Sequence, residues 1–183
     1  GALWCIVDDN IERQKDSLSS GAIDAVVCTF IMHPAATATL TNACGVFSNL
    51  SGAAPLAEAI ANAQGVSVIA DAVRNNVGAI SFLEVACLTL RNIVTIHPTY
   101  ADEASLAISP ILEAMRKHID ATNFHKEACS LLWVLAAESE SCHSKIVALD
   151  GISVLVLSLE ANRHDPEFEE AAKGAFYAIS SEH

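Results

Sequence analysis

The sequence predicts an all-α fold in which about four helical repeats follow one another along the chain. A segment from Asn42 to Ser51 recurs three times downstream. Its copies are anchored by alanines that lie 43, 42 and 44 residues apart, namely Ala43, Ala86, Ala128 and Ala172. A second segment, which starts at Gly21, recurs at positions 65, 107 and 151. Two independent segments with one period indicate a tandem array, because periods of about 20 to 50 residues are typical of repeat proteins.

Three helices are predicted in each repeat: a short one, a medium one and a long one. The long helix follows from the i, i+4, i+7 spacing of Ala43, Phe47 and Leu50, which places three apolar residues on one helix face. The medium helix is the second recurring segment. The short helices precede it and are predicted at residues 55–62, 101–107 and 142–149.

Glycines occupy the predicted junctions between short and medium helices. Gly21, Gly65 and Gly151 stand where the chain has to turn sharply, nearly at a right angle. Because glycine has no Cβ, it adopts backbone conformations that strain other residues. We therefore expect these three glycines to supply the flexibility of the turn.

The repeat frame predicts one domain, residues 1–183. It consists of the end of a truncated repeat at residues 1–10 and of full repeats at residues 11–51, 52–97, 98–138 and 139–183. Apolar residues begin and end the frame, among them Leu3, Trp4, Phe176 and Tyr177. Terminal repeats usually have a polar outer face. The sequence therefore predicts either a fragment of a longer array or an array capped by association.

The net charge limits the kinds of partner. Acidic side chains outnumber basic ones by 22 to 10, for a formal charge of -12. Phosphate groups would repel such a chain, so we expect no nucleic-acid binding. The acidic excess is larger in residues 92–183, which favours a protein or peptide partner with basic character. No apolar stretch approaches the roughly 20 residues that span a bilayer, and no membrane insertion is expected.

No motif in the chain predicts catalysis, a cofactor or a metal. The sequence contains no G-x-S-x-G elbow, no phosphate-binding loop and no H-E-x-x-H. The six cysteines form no C-x-x-C pair, which predicts free thiols in the cytoplasm, with the nucleus as the alternative. Cys44, Cys87 and Cys129 occupy small packing positions, and His125 is expected at the solvent, as are His143 and His164.

The repeat resembles the armadillo repeat family over essentially the whole chain. Asn42 to Ser51 is similar to that family's long helix with the pattern A-x-x-x-L-x-N-L-(A/S), and Asn62 to Val66 is similar to its junction between short and medium helices. The resemblance implies a right-handed α-solenoid of about four armadillo-like three-helix repeats. HEAT repeats, which have two helices, are the nearest alternative.

The resemblance implies a concave groove lined by the long third helices, where partner segments lie. In that family an asparagine near the end of this helix holds the backbone of a bound peptide, and the matching positions here carry Asn49 and Asn92. An amide can both donate to and accept from an extended backbone. Alternatively, these asparagines cap or bridge neighbouring repeats. The tryptophan that nuclear import adaptors place one turn earlier is replaced by Gly45, Leu88, Ser130 and Gly174.

Four further residues are candidates for partner binding. Glu84 and Glu170 are expected to favour basic side chains, and Arg91 and Trp133 to form a local anchor, since Arg and Trp are frequent in interface hot spots. The alternative for Trp133 is packing between adjacent repeats.

These patterns predict a non-enzymatic protein-protein interaction module that binds a partner segment in the groove. Two alternatives remain. One is a structural spacer that associates end to end, and the other is the targeting arm of a larger regulatory protein, such as a ubiquitin ligase that carries armadillo repeats.

Overall fold

In a computed structural model of the chain, residues 21–162 and 165–180 are described. The predicted truncated repeat at residues 1–10, with Leu3 and Trp4, and His164 lie outside these ranges. Within them the protein is all-α, as predicted, and contains no strand. The helices in chain order are α1 Ala22–Met32, α2 Thr37–Leu50, α3 Ala54–Asn62, α4 Gly65–Asn75, α5 Ile80–Ile96, α6 Ala101–Ala104, α7 Ile108–Lys117, α8 Thr122–Glu138, α9 Glu140–Ala148, α10 Gly151–Ala161 and α11 Pro166–Ser180. Two 3-10 turns, Pro98–Tyr100 and Ser105–Ala107, flank α6.

The helices form three sets, and members of a set pack against each other in chain order. The long helices make the most extensive contacts: α5 packs against both α2 and α8, and α8 packs against α11. The medium helices α1, α4, α7 and α10 likewise contact their successors. The short helices α3, α6 and α9 lie between the other two sets.

A row of phenylalanines fixes the starts of three long helices. Phe82, Phe124 and Phe168 are each the third residue of their helix, and each is buried. The matching position in α2 holds Thr39, which is exposed, and Leu40 is buried in its place. A buried ring removes a large apolar area from water. The recurring segments of the sequence begin later in these helices, so this row was not predicted.

The glycines at the helix junctions serve a different purpose from the one predicted. Gly21 does adopt the left-handed conformation, with φ of 69°, but at the other two junctions this conformation belongs to Gln64 (66°) and Asp150 (57°). Gly65 and Gly151 come one residue later, as the first residues of their helices. The prediction that these two glycines supply the turn's unusual backbone angles is therefore wrong.

Gly65 and Gly151 are required by close approach instead. A Cβ on Gly65 would lie 2.6 Å from the carbonyl oxygen of Ile60, and one on Gly151 would lie 2.8 Å from that of Ile146. In both cases the added atom would also collide with the isoleucine side chain. The turn at Gly151 brings α9 and α10 to an angle of 73°, close to the expected right angle.

Two asparagines connect the ends of medium helices to the loop that follows the previous medium helix in the chain. The Asn76 amide donates to Ala72 O in its own helix at 2.8 Å and to Pro34 O at 2.9 Å. Asn162 makes the same pair of bonds, to Ser158 O and to Ile119 O, both at 3.1 Å. Both asparagines are buried, so these bonds satisfy the donor groups of their side-chain amides within the protein.

His125 is buried, contrary to the expectation that it lies at the solvent. Its Nε2 lies 3.0 Å from His118 O and its Nδ1 lies 2.8 Å from Ser158 Oγ. A carbonyl can only accept, so Nε2 carries the proton and Nδ1 accepts from the Ser158 hydroxyl. Burial lowers the pKa of this imidazole from its ordinary value.

No single helix within the described ranges is both long and apolar enough to cross a bilayer. Taken together, α9 and α10 have the required length and composition, but they are sharply bent relative to each other.

Candidate interaction groove

A groove of about 330 Å³ lies across the exposed faces of the long helices α5, α8 and α11. We call it the long-helix groove. Its lining residues are Arg91 from α5, Lys126, Glu127, Ser130 and Trp133 from α8, and Glu167, Glu170 and Ala171 from α11. Lys126, Ser130 and Trp133 share one face of α8 because their spacing of four and three residues follows the helix period. The groove is open, so an extended or helical segment could lie along it.

Two ion pairs bridge neighbouring helices across the groove. Arg91 Nη1 donates to Glu127 Oε2 at 2.9 Å and connects α5 to α8. Lys126 Nζ donates to Glu167 Oε2 at 2.8 Å, which connects α8 to α11 and raises the pKa of the lysine. The first pair is the less exposed of the two, and exposed pairs contribute at most about 1 kcal/mol to stability. Both basic side chains in the groove thus already have a carboxylate partner.

Trp133 contributes an aromatic ring to the lining of the long-helix groove. Its ring lies against Gly174 of α11 so closely that a Cβ at that glycine would be 2.6 Å from Cζ3 and 2.7 Å from Cδ2. Nevertheless the residue remains 42% exposed. Trp133 therefore does both things that the sequence left open: it packs against the adjacent long helix, and it offers a large aromatic surface to the groove.

The two predicted glutamates have different surroundings. Glu170 is exposed and forms no ion pair with any residue in the described ranges. Glu84 on α5 is half-buried, and its pKa is raised by burial first and by the nearby Glu127 carboxylate second. Each side chain adds a carboxylate that no basic group of the groove neutralises through a direct contact. The groove and its edge therefore carry more negative than positive charge.

The two asparagines do not line the long-helix groove. Asn92 Nδ2 lies 3.4 Å from Ser51 Oγ at the end of α2, and Asn92 Oδ1 accepts from Arg91 Nη2 at 3.4 Å. These contacts match the alternative in which the amide bridges neighbouring repeats. Asn49 is half-buried on α2, which is separated from α8 by α5. The structure therefore gathers Arg91, Trp133 and Glu170 at one place and leaves the asparagines outside it.

Glu127 and Glu167 belong to the groove but were not among the predicted residues. Glu127 directly follows Lys126, and Glu167 stands one turn before Glu170 on the same helix face. The i, i+3 spacing of Glu167 and Glu170 is the pattern that indicates a shared face.

The cysteines and histidines form no reactive cluster in the described ranges. Cys44, Cys87 and Cys129 are buried in the row of long helices, and burial raises the pKa of each thiol above its ordinary value. Cys142 is also buried, and Cys28 is exposed. No three His, Cys, Asp or Glu side chains of residues 21–162 and 165–180 come together as metal ligands.

A second groove, of about 440 Å³, lies between α10 and α11. It is largely apolar and is lined by Val156, Leu159 and Phe176, with Glu160 and Glu169 also contributing. Leu157 and Tyr177 on the same two helices are 53% and 67% exposed.

Comparison with known proteins adds little to this geometry. Neither a protein-family model nor a curated protein matches the chain. A solved crystal structure, described as an engineered protein from the Northeast Structural Genomics Consortium, is similar over 97% of this chain and 87% of that chain, with 20% identity and a TM-score of 0.45. A likeness of that size carries no argument.

Proposed function

We propose that this chain is a right-handed α-solenoid of armadillo-like three-helix repeats and acts as a non-enzymatic module that binds a partner segment in the long-helix groove. The solenoid is supported by the three sets of helices that pack in chain order. Recurrent local details support it as well. The residues before α2, α5 and α8 are all alanines with nearly the same backbone angles, and Asn76 and Asn162 make equivalent bonds.

The observation that carries the binding proposal is the exposed surface of Trp133 in a groove built by three helices. Aromatic side chains held rigidly and left accessible are frequent centres of binding energy, because little conformational entropy is lost when a partner covers them. Trp133 packs against Gly174, and the charged side chains around it can set the orientation of a bound partner segment. This combination is typical of a protein-binding surface.

Affinity capture followed by mass spectrometry tests the proposal. Three baits are compared. The first is the native chain. The second carries Ser130→Arg, which fills the groove with a long side chain, and the third carries Glu58→Gln, which removes an exposed carboxylate from α3. A partner that binds the groove is retained by the native and Glu58→Gln baits and lost with Ser130→Arg. Equal capture by all three baits would mean that the groove is not the binding surface.

The second candidate function is self-association as a structural spacer, and the apolar groove between α10 and α11 favours it. In this case the chain forms dimers or longer assemblies at micromolar concentration, and Leu157→Glu dissociates them. Multi-angle light scattering distinguishes the two candidates, because the partner-binding module is a monomer by itself.

A further inference from the structure

We propose that the long-helix groove recognises one arginine side chain of its partner, which stacks on Trp133 and pairs with Glu170. This inference rests on the proposed function of the groove and specifies the chemistry of the partner. Three observations lead to it: the charge left over in the groove, the position of Glu170 relative to Trp133, and the exposed ring of Trp133.

The charge in the groove favours a cation. Arg91 and Lys126 are each paired with a carboxylate, at 2.9 and 2.8 Å. An acidic or phosphorylated segment would have to compete with Glu127 and Glu167 for these two side chains and would meet two further carboxylates, Glu84 and Glu170. A basic side chain meets no such competition. Charge complementarity thus selects the sign of the ligand.

Glu170 stands one helical turn from the ring of Trp133. Trp133 lies on Gly174, and Glu170 precedes that glycine by four residues on α11. Glu170 and Gly174 therefore share one face of α11 and lie roughly 6 Å apart along its axis. Both side chains line the same groove. A cation above the indole is therefore within reach of the Glu170 carboxylate.

The geometry favours arginine over lysine. A guanidinium group is planar, so it stacks on an aromatic surface and still directs its N–H groups outward in the plane of the stack. A carboxylate beside the ring can then accept two parallel hydrogen bonds. An ammonium group has one small charged end, which cannot cover the indole and meet Glu170 with the same fit. Cation–π contacts become stronger as the site loses water.

A random dodecapeptide display library selected against the full chain tests this inference. We expect the selected peptides to contain an arginine, and their binding is measured by isothermal titration calorimetry. Replacing that arginine by citrulline, its neutral analogue of nearly the same shape, should weaken binding at least tenfold. Replacing it by lysine should weaken binding several-fold.

Protein variants locate the effect. In Glu170→Gln the arginine peptide should bind about as weakly as the citrulline peptide binds the native protein, while the citrulline peptide should bind both proteins equally. Trp133→Leu should weaken both peptides. Glu58→Gln, with the same change of net charge on α3, should change neither, and circular dichroism confirms that each variant is folded.

The outcomes separate the two proposals. The arginine inference is overturned if the selected peptides contain no arginine, or if Glu170→Gln leaves the affinity of an arginine peptide unchanged. The proposed function survives this result as long as Ser130→Arg abolishes the binding of those peptides. Peptides that bind Ser130→Arg as well as the native chain would overturn both, since they bind elsewhere. Failure to select any peptide would also count against both.

Discussion

Single atoms decide how tightly the short and medium helices meet. At Gly65 a hydrogen occupies the place where any other residue would direct a Cβ into the carbonyl oxygen of Ile60. Gly78, in contrast, has nothing within 4 Å of the position of its Cβ and no left-handed backbone angle. The two glycines therefore differ in whether the space around them is filled.

Gly65→Ala should reduce the free energy of unfolding by about 1 to 3 kcal/mol, because the added methyl group forces α3 and α4 apart. Gly78→Ala should change it by no more than about 0.5 kcal/mol, as is usual for open surface positions. Urea denaturation followed by circular dichroism measures both. Equal stability of the two variants would show that the close approach at Gly65 is not required.

The sequence could show that glycines recur at the junctions but not why they do. Period and composition locate Gly65 and Gly151, but a left-handed angle and a close approach both demand glycine. The choice between them depends on where the Ile60 and Ile146 carbonyls lie, which is a property of two helices together. Similarly, the sequence predicts Trp133 as packed or exposed, and only the neighbouring Gly174 lets it be both.

Contacts between elements depend on a few buried polar side chains. His125 on α8 is bonded to Ser158 on α10 and to the carbonyl of His118 at the end of α7. It thereby holds together three helices at a place without access to water. The titratable groups near it are His118 and Asp120. Burial, which lowers the pKa of His125, outweighs the hydrogen bond to the His118 carbonyl and the attraction of Asp120, both of which raise it.

Stability should decrease as the pH falls through the ordinary histidine pKa of 6.5. The unfolded chain takes up a proton on His125 near this pH, whereas the folded protein does so only at lower pH, because burial disfavours the charged form. Proton uptake therefore favours the unfolded state. Above this range both states are neutral at His125 and the residue adds no pH dependence.

Thermal denaturation between pH 8 and pH 5 measures this effect. The native chain should lose more stability over this range than His125→Phe, in which the titrating group is absent. His33→Gln, which removes an exposed histidine, should behave as the native chain does. An NMR titration of His125 in the native protein provides the same answer without substitution, and a pKa at or above 6.5 would contradict the expectation.

At the level of elements, the sequence predicted helices better than the bonds between them. The periodicity of Ala43, Phe47 and Leu50 suffices to predict a long helix, since it reports which face is buried. The burial of His125 was missed because a polar residue gives no periodic pattern of its own. The partner that makes its burial acceptable, Ser158, lies 33 residues away in the chain.

At the scale of the whole fold, the cysteines of the described residues differ in how far solvent reaches them. Cys44, Cys87, Cys129 and Cys142 are buried, and Cys28 on α1 is exposed. The three cysteines of the long helices lie where α2, α5 and α8 face each other, so reagents reach them only when these helices separate. Their reaction rates therefore report on the opening of the fold.

Under native conditions Cys28 should react with N-ethylmaleimide within minutes, while the four buried cysteines should react at least a hundredfold more slowly. Burial also raises the pKa of the buried thiols, which leaves less of the reactive thiolate. Mass spectrometry of proteolytic peptides follows each site over time. Rapid labelling of Cys87 at low denaturant would indicate that α5 is not packed between α2 and α8 in solution.

The whole fold was predictable to the level of its class and its helices, and the groove only in part. Arg91 and Trp133, which the sequence predicts as one local anchor, both line the groove, and their role in binding stays a prediction. Other features of the groove depend on how far neighbouring helices are displaced along their axes. These features are its depth, the pairing of Arg91 with Glu127 and the position of Asn92 outside the groove. A repeat period gives the order of the helices but not that displacement.

The contact between Trp133 and Gly174 links occupation of the groove to attachment of α11. Since a bare stretch of backbone lies under the indole, any ligand that keeps the ring in place also keeps this backbone covered, and any ligand that lifts the ring exposes it. By mass action, a ligand of the first kind, which binds only while α11 is attached, raises the melting temperature of this helix with its concentration. A ligand of the second kind lowers it when it binds more tightly to the state in which α11 has detached. A small molecule aimed at this groove would thus reveal its pose through its effect on the attachment of α11.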